Sequence, residues 1–191
     1  MEWLLSVCLG LGLAAACGFR IFVPMLGLSI AAQAGHLNFA PGFEWIGSPA
    51  ALVCFSVATV LEIIAYYIPW LDNLLDLVAA PLAVLAGILA TAAVITDLPV
   101  SLRWAISILA GGGTAAAVQG LTSITRLKST ATTAGAANPI LSTLELFGSL
   151  ATSIIAVAVP LLAIVFVISL VLLFRRIARG LVRRTRVVRT P

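Results

Sequence analysis

Charge is what this sequence has least of. Only 9% of its 191 residues are charged, whereas a soluble domain carries about 25% to cover itself with a polar surface. A water-soluble fold is thereby excluded. A single histidine, His36, rules out a histidine-rich metal centre and a pair of histidine bases. Cys8, Cys17 and Cys54 are odd in number and set in apolar runs, so they indicate neither a disulfide framework nor a metal site. They read as core residues. The chain also lacks a phosphate-cradling loop ending in Gly-Lys-Ser/Thr, a Gly-x-Ser-x-Gly elbow and a metalloprotease helix. No enzyme activity and no cofactor are expected. Nucleic acid is excluded as a partner, because the short basic tail carries no interleaved aromatic residues.

What the chain has instead is apolar length. Hydrophobic residues make up 62% of it, gathered in runs at 3–18, 21–35, 47–68, 74–95, 104–120 and 146–174, against the roughly 20 residues that span a bilayer core. Turn-separated runs of this kind favour helices over the alternating pattern of a membrane barrel. The expected fold is all-α: a multi-pass helical membrane protein with five to seven membrane segments. Trp3, Trp45, Trp70 and Trp104 stand at the ends of runs, where the headgroup layer favours an amphipathic ring. The lipid bilayer is the first partner, and the scarce polar surface is compatible with a homodimer.

The chain also repeats itself. A shift of 101 positions sets Gly10, Gly12, Ala14, Ala15 and Ala16 on Gly111, Gly113, Ala115, Ala116 and Ala117, and Glu44, Gly47, Ser48 and Ala50 on Glu145, Gly148, Ser149 and Ala151. A shift of 100 sets Ala34, Gly35 and Asn38 on Ala134, Gly135 and Asn138. In an apolar chain this suggests two related halves enclosing a shared site. We therefore divide a single domain, 1–174, into repeat one (about 3–71), a connecting helix (about 72–97) and repeat two (about 103–174). Each repeat reads as helix, break, helix, loop, helix. Glu44 and Glu145 read as N-terminal helix caps, and Asp97 and Arg103 as solvated loop charges.

Seven of the eleven basic residues follow Phe174: Arg175, Arg176, Arg179, Arg183, Arg184, Arg186 and Arg189. By the positive-inside bias the tail 175–191 is cytoplasmic. The expected location is the cell inner (plasma) membrane, with anionic lipid headgroups as a partner of the tail.

Few residues remain that could carry chemistry inside the membrane. Arg20 lies between two apolar runs, flanked by Gly18 and Pro24, where a broken helix frees backbone groups beside a fixed positive charge. That combination can hold an anion. Glu62 lies deep in an apolar run, with Tyr66 one turn on along the same face, and a carboxylate there must be paired, protonated or wetted. Asp72 and Asp76 lie one turn apart, offering a cation or proton site near Glu62. The bland reading of Asn73 and Asp76 is a capping box for the connecting helix. The predicted substrate-binding set is therefore Arg20, Glu62, Tyr66, Asp72 and Asp76.

Gly18-Phe19-Arg20 with Pro24, Pro69-x-x-Asp72-Asn73-x-x-Asp76 with Pro81, and the glycine-rich second half resemble a bacterial membrane family, domain of unknown function 4126. The resemblance covers nearly the whole chain up to about Phe174 and implies a multi-pass membrane protein, with no activity to carry over. The leading reading is a small transporter or channel for a small, anionic solute. The alternative is a non-catalytic membrane scaffold or assembly factor, in which small-residue faces and capped turns only pack.

Overall fold

The structure, a computed structural model, describes residues 2–133, 135–165, 167–169 and 172; the side chains of 69, 70, 72, 73 and 76 fall outside that description. Every regular element among the described residues is helical. In chain order they are α1 (Glu2–Phe19), α2 (Phe22–Gln33), a 3-10 turn (Glu44–Gly47), α3 (Pro49–Tyr66), α4 (Pro69–Val94), α5 (Val100–Ile106), a π-helical segment (Ser107–Gly112), α6 (Gly113–Thr133) and α7 (Asn138–Ala158). Five helical stretches are long and apolar enough to cross a membrane: Glu2–Phe19, Pro49–Tyr66, Leu77–Val94, Val100–Thr133 and Asn138–Ala158. The protein is a helical membrane protein.

Helix α1 forms the axis of the bundle and packs against α4, α6 and α7. Its small residues permit this, since helices in lipid associate by close backbone approach. A Cβ built on Gly10 would stand 2.8 Å from Thr91, one on Gly12 2.8 Å from Ala156, and one on Gly18 2.6 Å from Val118. Hydroxyls bind the same contacts together. Thr91 Oγ1 donates to the Gly10 carbonyl at 3.1 Å and the Gly87 carbonyl at 2.8 Å, and Ser149 Oγ donates to the Ala16 carbonyl at 3.0 Å.

Local signals account for several boundaries. Ser48 caps α3 by accepting from the Ala51 amide at 3.1 Å, with Pro49 in the first turn. Gly35 and Gly135, matched by the 100-residue shift, both take positive φ just past the ends of α2 and α6, the conformation glycine adopts most easily at a helix stop. Elsewhere the halves are built differently. The first breaks at Arg20, whereas the equivalent stretch of the second runs on as helix from Val100 to Thr133. Polar residues after Leu121 did not end that helix, because their side chains turn into the bundle: Thr122, Thr125, Arg126 and Ser129 are all buried. Helix α4 begins at Pro69 with Ile68 as its cap residue, so Asn73 lies inside the helix and is not its cap. The arginine tail lies outside the described residues.

Candidate functional site

The site begins at the break between α1 and α2. The Arg20 amide still bonds to the Ala16 carbonyl at 3.0 Å and completes α1. Helix α2 then starts with no side-chain cap of its own, leaving the Ile21 and Phe22 amides in need of an acceptor. Glu62, one turn before the end of α3, supplies it. One carboxylate oxygen accepts from Ile21 at 2.8 Å and the other from Phe22 at 3.1 Å. The carboxylate thus sits at the positive end of the α2 dipole, where the sequence pointed to an anion.

Arg20 is 1% exposed. Its Nη2 donates to the Ser142 carbonyl at 2.9 Å, while Nε and Nη1 have no hydrogen-bond partner among the described residues. The guanidinium carbon lies 3.8 Å from the centre of the Tyr66 ring, and that of Arg126 lies 4.3 Å from the same centre. Both guanidiniums thus lie over one ring. Tyr66 attracts both cations through its π-system. Arg126 Nε donates to both oxygens of Glu145, at 3.0 and 3.1 Å, and its Nη2 donates to Glu145 Oε2 and, at 3.1 Å, to Ser142 Oγ. Ser142 receives one arginine on its carbonyl and the other on its hydroxyl. The cluster joins the α1–α2 junction and the end of α3 to the interiors of α6 and α7.

A pocket of about 340 Å³ opens beside this cluster, lined by Ile21, Phe22, Glu62 and Tyr66 on one side and by Leu75, Val78 and Leu82 of α4 on the other. Among the described residues its walls are apolar except at Glu62 and Tyr66. A second, larger groove of about 660 Å³ runs between α2, α3 and α7 and is almost wholly apolar. Among the described residues no three of His, Cys, Asp and Glu come together as metal ligands.

Of the predicted set, Arg20, Glu62 and Tyr66 are brought into one cluster. Asp72 and Asp76 lie in the first turns of α4, and their side chains are outside the described residues. Sequence reading missed Arg126, Glu145 and Ser142. Glu145 is no helix cap: it lies 3% exposed in the interior of α7, paired with Arg126. Its repeat partner Glu44 is exposed and accepts from the Gly42 amide at 2.9 Å. Arg103 is no solvated loop charge either, being 6% exposed in α5 with its guanidinium 5.8 Å from the Phe43 ring. A signal for the missed residues does exist. Ser142, Glu145, Ser149 and Thr152 recur at three- and four-residue spacing along α7, a polar stripe that lipid forces inward.

No curated protein and no solved structure matches this chain. One family model does, that of a domain of unknown function (DUF4126), over residues 7–179. The match takes in every residue of the cluster and runs a few positions past Phe174 into the arginine tail. A helical membrane bundle matched over nearly its full length accordingly belongs to the DUF4126 family.

Proposed function

We propose that this protein is a small transporter or channel for a small anionic solute, with its polar site at the cluster around Arg20. The observation that carries the reading is a guanidinium 1% exposed within an apolar bundle, two of its nitrogens unpartnered among the described residues, beside a broken helix and a pocket. Ionisable groups at such positions mark solute and ion pathways. Arg20 attracts the anionic group, and Glu62, with Asp72 or Asp76, carries coupled protons or cations. The protein is non-catalytic, resides in the inner (plasma) membrane with its arginine tail cytoplasmic against anionic headgroups, and binds no nucleic acid. The matched glycine stops at Gly35 and Gly135 support the view of its halves as repeats.

A second reading, a scaffold or assembly factor, is favoured by one observation: Glu62 and Glu145 already have partners inside the protein. Vesicle uptake separates the two. Arg20→Ala and Glu62→Gln abolish coupled uptake of small organic anions while leaving a folded protein if transport is the function. Joint loss of expression in both variants, with no defect confined to uptake, favours the scaffold. Free labelling of Arg20→Cys from bulk water, on a background without Cys8, Cys17 and Cys54, overturns the anion site.

A further inference from the structure

We propose that Arg103 anchors a zwitterionic phospholipid headgroup, with the lipid phosphate on its guanidinium and the lipid amine toward the carboxylates beside it. The site is independent of the transporter reading and requires only the membrane fold.

Arg103 lies at the end of the bundle away from Arg20. Helix α4 starts beside the end of α3 and rises about 39 Å over its 26 residues. It ends at Val94, where the neighbouring Ala93 carbonyl accepts from the Ala40 amide at 2.8 Å. Trp3 on the first turn of α1, Trp45 on the 3-10 turn and Trp104 on α5 stand at this far end, and all three are exposed. Exposed indoles on three separate elements mark the depth of the lipid headgroups. Arg103 is the residue before one of them.

The backbone of Arg103 is fully engaged, its amide donating to the Pro99 carbonyl at 2.9 Å and its carbonyl accepting from Ser107 Oγ at 2.8 Å. Its guanidinium is not. The side chain is 6% exposed, and none of its nitrogens makes a hydrogen bond or ion pair among the described residues. The Phe43 ring, 5.8 Å from the guanidinium carbon, attracts the charge without neutralising it. A cation withdrawn from water in this way requires an anion. Nε is closed off, whereas the Nη edge is not, and that edge is a fork matched to two phosphate oxygens. The bilayer supplies phosphate at this depth. Charge complementarity then selects the headgroup. Glu44 follows Phe43, and Asp97 stands two residues before Pro99, so both carboxylates adjoin residues that Arg103 contacts. Both are exposed, and neither forms an ion pair with Arg103. A headgroup with phosphate alone leaves these acids unanswered, whereas one that carries an amine next to its phosphate answers both signs.

The full chain is purified in detergent, and retained lipid is counted by native mass spectrometry during titration with phosphatidylethanolamine, phosphatidylglycerol or diacylglycerol, and in competition with sodium phosphate. The wild type retains phosphatidylethanolamine more tightly than phosphatidylglycerol, and diacylglycerol, which lacks the phosphate, is not retained. Arg103→Gln raises the half-saturating concentration of phosphatidylethanolamine about tenfold or more, whereas Lys128→Gln, on α6 towards the other end, leaves it unchanged. Arg103→Lys keeps the charge but not the fork and falls between, and it carries the comparison if Arg103→Gln is not recovered folded. Joint replacement of Glu44 by Gln and Asp97 by Asn closes the gap between the two phospholipids. Wild-type retention in the Arg103 variants overturns the site, as does equal retention of diacylglycerol. Release of the lipid by inorganic phosphate identifies a free-anion site and rejects the lipid. Tighter retention of phosphatidylglycerol than of phosphatidylethanolamine rejects the zwitterionic headgroup.

Discussion

Arg126 and Glu145 form a buried ion pair across α6 and α7, with each side chain 4% exposed and two guanidinium nitrogens directed at one carboxylate. Removal of either partner strands the other charge in a medium that cannot solvate it. Arg126→Ala or Glu145→Ala should each cost about 3–5 kcal/mol, read as a fall in melting temperature in detergent. Replacing both by Leu and Met should cost less than the sum of the single losses, because the two opposite charges of the pair are removed together. Additive losses would contradict the pairing.

The ring of Tyr66 makes a different kind of contribution. It contacts both Arg20 and Arg126, so Tyr66→Phe retains both cation–π contacts, whereas Tyr66→Leu loses both. The leucine variant should be less stable than the phenylalanine variant by about 2 kcal/mol or more. Chemical unfolding of the two proteins, compared directly, measures that gap.

Close packing around α1 gives a sharper contrast among glycines. A Cβ on Gly18 would meet Val118 Cβ at 2.6 Å and the Ala115 carbonyl oxygen at 2.7 Å, whereas one on Gly113 would meet nothing within 4 Å. Gly18→Ala should destabilise by about 1–3 kcal/mol through overpacking. Gly113→Ala should be neutral or stabilising by up to about 1 kcal/mol, since alanine is the better helix former. Melting curves of the two single variants decide the matter.

Thr91 tests how much an interhelical hydroxyl contributes in this bundle. Its Oγ1 reaches carbonyls on both α1 and its own helix, and Thr91→Val keeps the shape while removing the donor. A loss near 0.6 kcal/mol is expected, the average for such bonds between membrane helices. Equilibrium unfolding in mixed micelles gives the number.

Helix class, the break at Arg20 and the grouping of Arg20, Glu62 and Tyr66 were legible in the sequence because a charge inside an apolar run is conspicuous. Arg126 was not conspicuous. It lies among five threonines, Thr122, Thr125, Thr130, Thr132 and Thr133, and the polar stretch as a whole reads as the break between two apolar runs. The angular distribution of polar side chains around the helix gathers Thr122, Arg126 and Ser129 on a single buried face. Glu145 was misjudged for a different reason. The repeat aligned it with Glu44, and a shared position in sequence was read as a shared role, although one is exposed and the other buried. Asp72 and Asp76 stay a matter of backbone placement alone.

The start of α2 is completed by Glu62, 41 residues further along the chain than the amide of Ile21. During synthesis, α1 and α2 therefore leave the ribosome before the group that satisfies their junction exists. Until α3 arrives, two bare amides and the Arg20 cation must be held by water or headgroups, which keeps that junction near the membrane surface. Arrival of α3 is then the event that satisfies the junction. Chains halted just before and just after Glu62 should accordingly differ in the exposure of position 20 more than chains of any other neighbouring lengths.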